Sequence, residues 1–428
     1  MANNLNLEPP PYTFDVSIPE YSSEPRADEA RLEYQPGSMW PREYDLRRPT
    51  GLFVHRQDGV TVILNYQEDN ITVPVYRRNS SIEGSIILEK PEPITKVTLK
   101  LSGIIEVASP GTGWVQVKCL DQTHALFRAN EDSPDETSSW ASSQTSLSRN
   151  VPNSGPFQFS CALPTTFRHD GRDYPLPPSY YVLLPGNGQA YYVKCTYNFT
   201  ALVSKGRSRR TAFLPGKAKK VNTFGFEYSP RQRPPRGVID RSLLASIKIS
   251  PEEWRRYSYQ IIPRTNKHGL EPLMCQFFLP SLGVYGVTDS IPFHVQILGP
   301  RASLSILQLD NKPLIRVHLT RQITVEHNTR NNTVNLSLGE ASLRALPPVE
   351  GVLSLNLSET GQNQENINWD GKVGFRLERE KLVQAFNAGV VYIRDFIILE
   401  LSKGYTNLFQ LFRHGHFVRL VSDSAGPT

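Results

Sequence analysis

The chain has 428 residues, with 47 Lys and Arg against 41 Asp and Glu for a formal net charge of +6, and 39% of it is hydrophobic. That length suits two domains plus tails, and that apolar content excludes wholesale disorder. The mild positive charge implies attraction to acidic surfaces without naming one, and 34 prolines beside 3 methionines exclude a helical bundle, since each interior proline breaks a helix.

The opening MANNLNLEPPPY lacks the apolar core of a signal peptide, and no stretch reaches the roughly 18 uninterrupted apolar residues of a membrane span. Cys119, Cys161, Cys195 and Cys275 are far apart, with no C-x-x-C pair. They imply neither a zinc knuckle nor a disulfide framework and fit a reducing, cytoplasmic location. The sequons at Asn70, Asn79, Asn198, Asn331, Asn335 and Asn356 then read as chance.

In chain order, residues 1–50 combine prolines, charges and isolated tyrosines with no apolar period, the composition of a disordered N-terminal arm. From about residue 58 the period becomes two: Val60, Val62, Leu64; Val97, Leu99, Leu101; Phe157, Phe159, Cys161, Leu163; and Tyr191 through Val203. Alternation of this kind buries one set of side chains and wets the other, as in antiparallel sheets. A first β-sandwich is expected over 51–236, carrying a mobile Ser-rich loop at 131–155. Residues 237–265 read as a linker with a short helix starting at Ser250, where Pro251 and Glu253 complete a capping box. A second sandwich is expected over 266–421, before a tail at 422–428. Its strands are expected at Ile291–Ile297, Ile315–Leu319, Ile323–Val325, Leu353–Leu357, Val373–Leu377 and Ile397–Leu401, with a short helix over Lys381–Ala388. The fold class is all-β: two tandem immunoglobulin-like β-sandwiches behind the arm.

Pro9-Pro10-Pro11-Tyr12 matches P-P-x-Y. The prolines hold the segment in an extended polyproline II form, which WW domains read in an aromatic groove at small ordering cost, and the tyrosine anchors it. The bland alternative is a proline-rich arm with no partner. Pro177-Pro178-Ser179-Tyr180 repeats the pattern just before the longest alternating run. There the tyrosine is expected inside the sandwich, with the prolines shaping the start of a strand.

A basic run holds Lys205, Arg207, Arg209, Arg210, Lys217, Lys219 and Lys220, and continues with Arg231, Arg233 and Arg236. It suits anionic headgroups or an acidic partner, at about 1 kcal/mol per residue beside a charged bilayer; solvated hairpin charges are the alternative. Nucleic acid is disfavoured, since no recognition helix, zinc finger or stacking platform accompanies the run. No phosphate loop, complete dinucleotide loop or G-x-S-x-G elbow occurs, and nothing nominates a metal or cofactor. His414-Gly415-His416 reads as a surface turn.

Taken together, roughly residues 58–410 resemble the arrestin family, specifically a fungal α-arrestin. The resemblance rests on SIEGSIILEKPEPITKVTLKLSGIIEV with its L-x-G step, on LPPSYYV and AYYVKCTYNFTALV, on FEYSPRQRPPR, on FFLPSLGVYGVTDSIPFHVQILGP and on VYIRDFIILELS. It implies a non-enzymatic, two-lobed adaptor peripheral to the plasma membrane and endosomes. Such an adaptor binds cytosolic segments of membrane transporters or receptors. Through Pro9, Pro10, Pro11 and Tyr12 it would recruit a WW-domain ubiquitin ligase of the HECT class for ubiquitin-dependent endocytosis. No phosphate sensor of the visual type maps onto the sequence. Two other readings stay open: an arrestin-fold endosomal sorting or coat scaffold without a ligase, and a β-sandwich carbohydrate-active enzyme with a paired-carboxylate cleft.

Overall fold

The computed structural model describes residues 49–89, 94–110, 113–129, 156–184, 191–205, 219–239, 241–264, 269–308, 314–327, 330–346, 364–375 and 383–425. The expected arm with Pro9–Tyr12, the Ser-rich loop and the strand expected at Leu353–Leu357 lie outside the described residues.

Where alternation can bury one parity, strands form. The first sandwich uses β1 (Gly51–Gln57), β2 (Val60–Gln67), β3 (Val75–Tyr76), β4 (Ser81–Leu88), β5 (Ile94–Ser109), β6 (Gly113–Arg128), β7 (Phe157–Ala162), β8 (Thr166–His169), β9 (Arg172–Pro175), β10 (Tyr180–Leu184), β11 (Tyr191–Lys205) and β12 (Lys219–Tyr228). One layer has the order β1-β2-β4-β7. The other runs β3-β12-β11-β5-β6, with β10 added beside β11, and β8-β9 is a separate hairpin.

A short helix, α1 (Leu243–Ser246), precedes the second sandwich. Its elements are β13 (Trp254–Ile261), β14 (Leu273–Pro280), β15 (Val284–Gly286), β16 (Ile291–Pro300), α2 (Arg301–Gln308), β17 (Ile315–His327), β18 (Arg330–Glu340), β19 (Ser342–Leu346), β20 (Gln364–Val373), β21 (Val391–Leu401) and β22 (Arg413–Val421). They form two layers, β13-β14-β16-β20-β19 and β15-β22-β21-β17-β18. The described residues are thus all-β, in two sandwiches, and residues 49–428 form one compact unit.

The longest alternating run behaves as its sequence demands. Tyr191, Val193, Cys195, Tyr197, Phe199, Ala201 and Val203 of β11 are all buried. Phe199 stacks on Phe224 at 4.9 Å and meets Phe159 of the opposite layer at 5.6 Å. Removing such a ring from water contributes about 1.5–3 kcal/mol. The L-x-G step has a packing cause: a Cβ on Gly103 would stand 2.6 Å from Cε1 of Tyr197, so the ring takes the space a side chain would need.

Several expectations are corrected. Trp254–Ile261, placed in the linker, is a strand of the second sandwich, paired residue for residue with Leu273–Pro280. The capping box yields only a single 3-10 turn at Pro251–Glu253 with no side-chain cap bond, because Trp254 packs against Leu243 and Phe278 and starts β13. Ile315–Leu319 and Ile323–Val325 are one continuous strand. The helix expected over Lys381–Ala388 does not form in its described part. Residues 383–388 are irregular, with Phe386 and Ala388 packed into the first core, and Ala385 N donating to Leu420 O at 3.2 Å. Burying those side chains between neighbouring strands outweighs the helical preference of so short a segment. His414 and His416 do not sit in a surface turn; they lie on β22, one half-buried and one buried.

Candidate functional site at the seam between the sandwiches

Two strands of the second sandwich serve both cores. On β17, Ile315, Val317 and Leu319 belong to the second core, whereas Ile323 and Val325 belong to the first. On β21 the order reverses: Val391 and Ile393 pack into the first core, Ile397, Leu399 and Leu401 into the second. At the crossing point of each strand the inward position is charged. Arg321 is 1% exposed and Asp395 0%, and the two are direct register partners. Arg321 Nε donates to Asp395 Oδ1 at 2.8 Å and Nη2 to Oδ2 at 3.0 Å, a parallel two-bond fork.

The first sandwich closes over this pair with β10. Tyr180 is buried, meets Phe386 edge-on at 5.8 Å, and lies beside the Arg321 guanidinium. Burial pushes the Tyr180 phenol up to about 12, so it stays a neutral partner. Burial also raises the Asp395 carboxyl, against the pull of the Arg321 guanidinium. Further along the seam, Tyr191 Oη donates to Ile323 O at 3.0 Å and to Asn332 O at 2.9 Å, and Asn332 Nδ2 donates to Pro110 O at 2.5 Å. The sandwiches are therefore joined by continuous apolar packing and hydrogen bonds, with the first closing over an ion pair that lies within the second. An interface of this kind fixes an orientation.

The second P-P-x-Y copy is part of this framework. Pro177, Pro178 and Tyr180 are buried. Tyr197 Oη donates to Pro177 O at 2.5 Å, Ser179 N donates to Tyr228 O at 2.8 Å, and Tyr228 N donates to Ser179 Oγ at 2.9 Å. A WW groove cannot take a segment so held without unfolding it. The first copy, Pro9–Tyr12, lies outside the described residues.

Of the basic run, Arg207, Arg209, Arg210 and Lys217 lie outside the described residues, and Lys205 and Lys219 close the facing ends of β11 and β12. Lys220 is half-buried, its Nζ near the β1–β2 turn at Gly59. Arg231 pairs with Asp423 at 3.9 Å and Arg236 with Glu253 at 3.3 Å, so the later basic residues tie the chain to the second sandwich.

The four thiols are buried, and burial raises all of them: Cys119 and Cys161 to about 11, Cys195 and Cys275 also well above the ordinary value. Thiols so held are poor nucleophiles. Among the described residues no three His, Cys, Asp or Glu side chains are grouped to hold a metal ion, and no helix is long and apolar enough to cross a membrane.

Sequence reasoning missed Arg321 and Asp395. Their signal was present: each stands at an apolar-parity position of an otherwise apolar run, and the two carry opposite charge. Compared with protein-family models and with curated proteins, the chain matches none.

Proposed function

We propose that this protein is a non-enzymatic, arrestin-like adaptor. Its two sandwiches present one surface to cytosolic segments of membrane transporters or receptors, and Pro9-Pro10-Pro11-Tyr12 recruits a WW-domain ubiquitin ligase of the HECT class. The observation that carries the reading is the shared core at the seam. Two sandwiches joined by strands that belong to both cores, and by Tyr191 of the first bonded to Ile323 and Asn332 of the second, make a two-lobed binding frame rather than a pair of independent beads. The fate of the second motif supports the assignment of the first: with Pro177–Tyr180 held by three hydrogen bonds, ligase recruitment falls to Pro9–Tyr12.

The test is titration of the full chain, native and Tyr12→Ala, against a panel of ligase WW domains. Micromolar binding by the native protein and at least tenfold weaker binding by the variant, with unchanged thermal unfolding, is the expected result. Equal binding by both, or binding by neither, would remove the ligase from the proposal.

A further inference from the structure

β22 carries two imidazoles on its inward face, inside the second sandwich. His414 lies 3.7 Å from the ring of Tyr259 and nearly parallel to it, with Phe412 edge-on at 4.7 Å. His416 lies 4.2 Å from Tyr257 and 5.0 Å from Phe277. Tyr257 and Tyr259 come from β13 and Phe277 from β14, so the two histidines are clasped between opposite layers. His416 Nε2 is buried and has no hydrogen-bond partner. In register, the two face Leu399 and Ile397 of β21. The other titratable groups on this side are the phenols of Tyr257, Tyr259 and, on β15 beside β22, Tyr285, and the Cys275 thiol beside Tyr259. Glu400, paired with Arg413 at 3.6 Å and Arg316 at 3.3 Å, and the nearby His318 point to the other face of the layer. Among the described residues no carboxylate waits to receive a protonated imidazole.

β22 also ties the second sandwich to the first. Gln232, on the way out of the first sandwich, receives Asp423 N at 3.0 Å on its carbonyl and Arg419 Nη2 at 2.9 Å on its side chain, and donates its own N to Ser422 Oγ at 2.8 Å. Leu420 O accepts Ala385 N, in the segment whose Phe386 covers Tyr180. We propose that His414 and His416 form an acid-released clasp: a proton on either ring loosens β13 from β22 and, through β22, slackens both ties to the first sandwich. This inference stands apart from the adaptor reading.

Burial lowers both imidazoles, and for His416, with His414 as a second cause, from 6.5 to about 4. A base depressed by folding stabilises fully above its ordinary value and loses that contribution as pH falls toward its folded one. The clasp is therefore closed above about pH 6.5 and opens progressively toward pH 4.

Hydrogen exchange on the full chain between pH 7.5 and 4.5, corrected for intrinsic rates, tests this. Protection at 254–261 and 413–421 should fall at least tenfold, while 191–205 and 291–300 hold. The variant carrying His414→Phe and His416→Phe should keep protection at low pH. Retained protection in the native chain, or parallel loss in chain and variant, would overturn the proposal. If the variant does not fold, carbon-labelled imidazole spectra of the native chain decide: a His416 titrating near 4 supports the clasp, and one titrating near 6.5 overturns it.

Discussion

In the first sandwich the buried Asn222 has every polar atom engaged: its Oδ1 takes His55 Nδ1 at 2.7 Å, and its Nδ2 donates to His55 O at 3.1 Å and Val60 O at 2.8 Å. In the second sandwich His416 is also buried, among Tyr257, Tyr259 and Phe277, yet its Nε2 has no hydrogen-bond partner. The seam between them holds a third solution, two full charges satisfied by one another. Each arrangement fails differently. A hydrogen-bonded amide fails when a partner is deleted, an unpaired imidazole when it is protonated, and an ion pair when one charge is left alone.

The largest expected effect is at the seam. Arg321→Met strands the Asp395 carboxylate and should cost about 3–5 kcal/mol in urea unfolding. Adding Asp395→Leu should recover most of that loss, because a volume-matched apolar pair at a buried site is often neutral or stabilising. If the double variant is as unstable as the single, the pair stabilises rather than merely fits the crossing.

A smaller effect separates hydrogen bonding from packing in the first core. Tyr197→Phe keeps the ring above Gly103 but leaves Pro177 O without its donor, and should cost about 1 kcal/mol by the same measurement. A loss of several kcal/mol would mean that the hydroxyl also organises β10. Tyr12→Ala should leave urea unfolding unchanged if Pro9–Tyr12 serves only as a ligase motif. A measurable drop in melting temperature would show that the motif is part of the folded body.

Most of the architecture was legible because period two is a strong signal when one parity is buried. β11, β16 and β21 were readable from their Tyr, Phe, Val and Ile spacing alone. Trp254–Ile261 was not, since its two arginines, serine and glutamine hide a core-facing set that has only one fully buried member, Ile261, behind half-buried Tyr257 and Tyr259, while Trp254 packs on the other face against Leu243 and Phe278. Segment 383–388 was misread for a related reason: its shape is imposed by packing against the first core and by bonds to β21 and β22. The seam was half legible. Opposite charges in apolar register at Arg321 and Asp395 were visible in the sequence. That they pair, and that both strands change core there, follows only once β17 lies against β21.

Because β17 and β21 contribute to both cores, the two sandwiches should unfold as a single frame. Urea unfolding of the full chain at pH 7.5, followed by hydrogen exchange at 191–205 in the first sandwich and 291–300 in the second, tests it most directly. One coincident transition at both sites is expected. Two transitions with separate midpoints would show independent lobes and would contradict it.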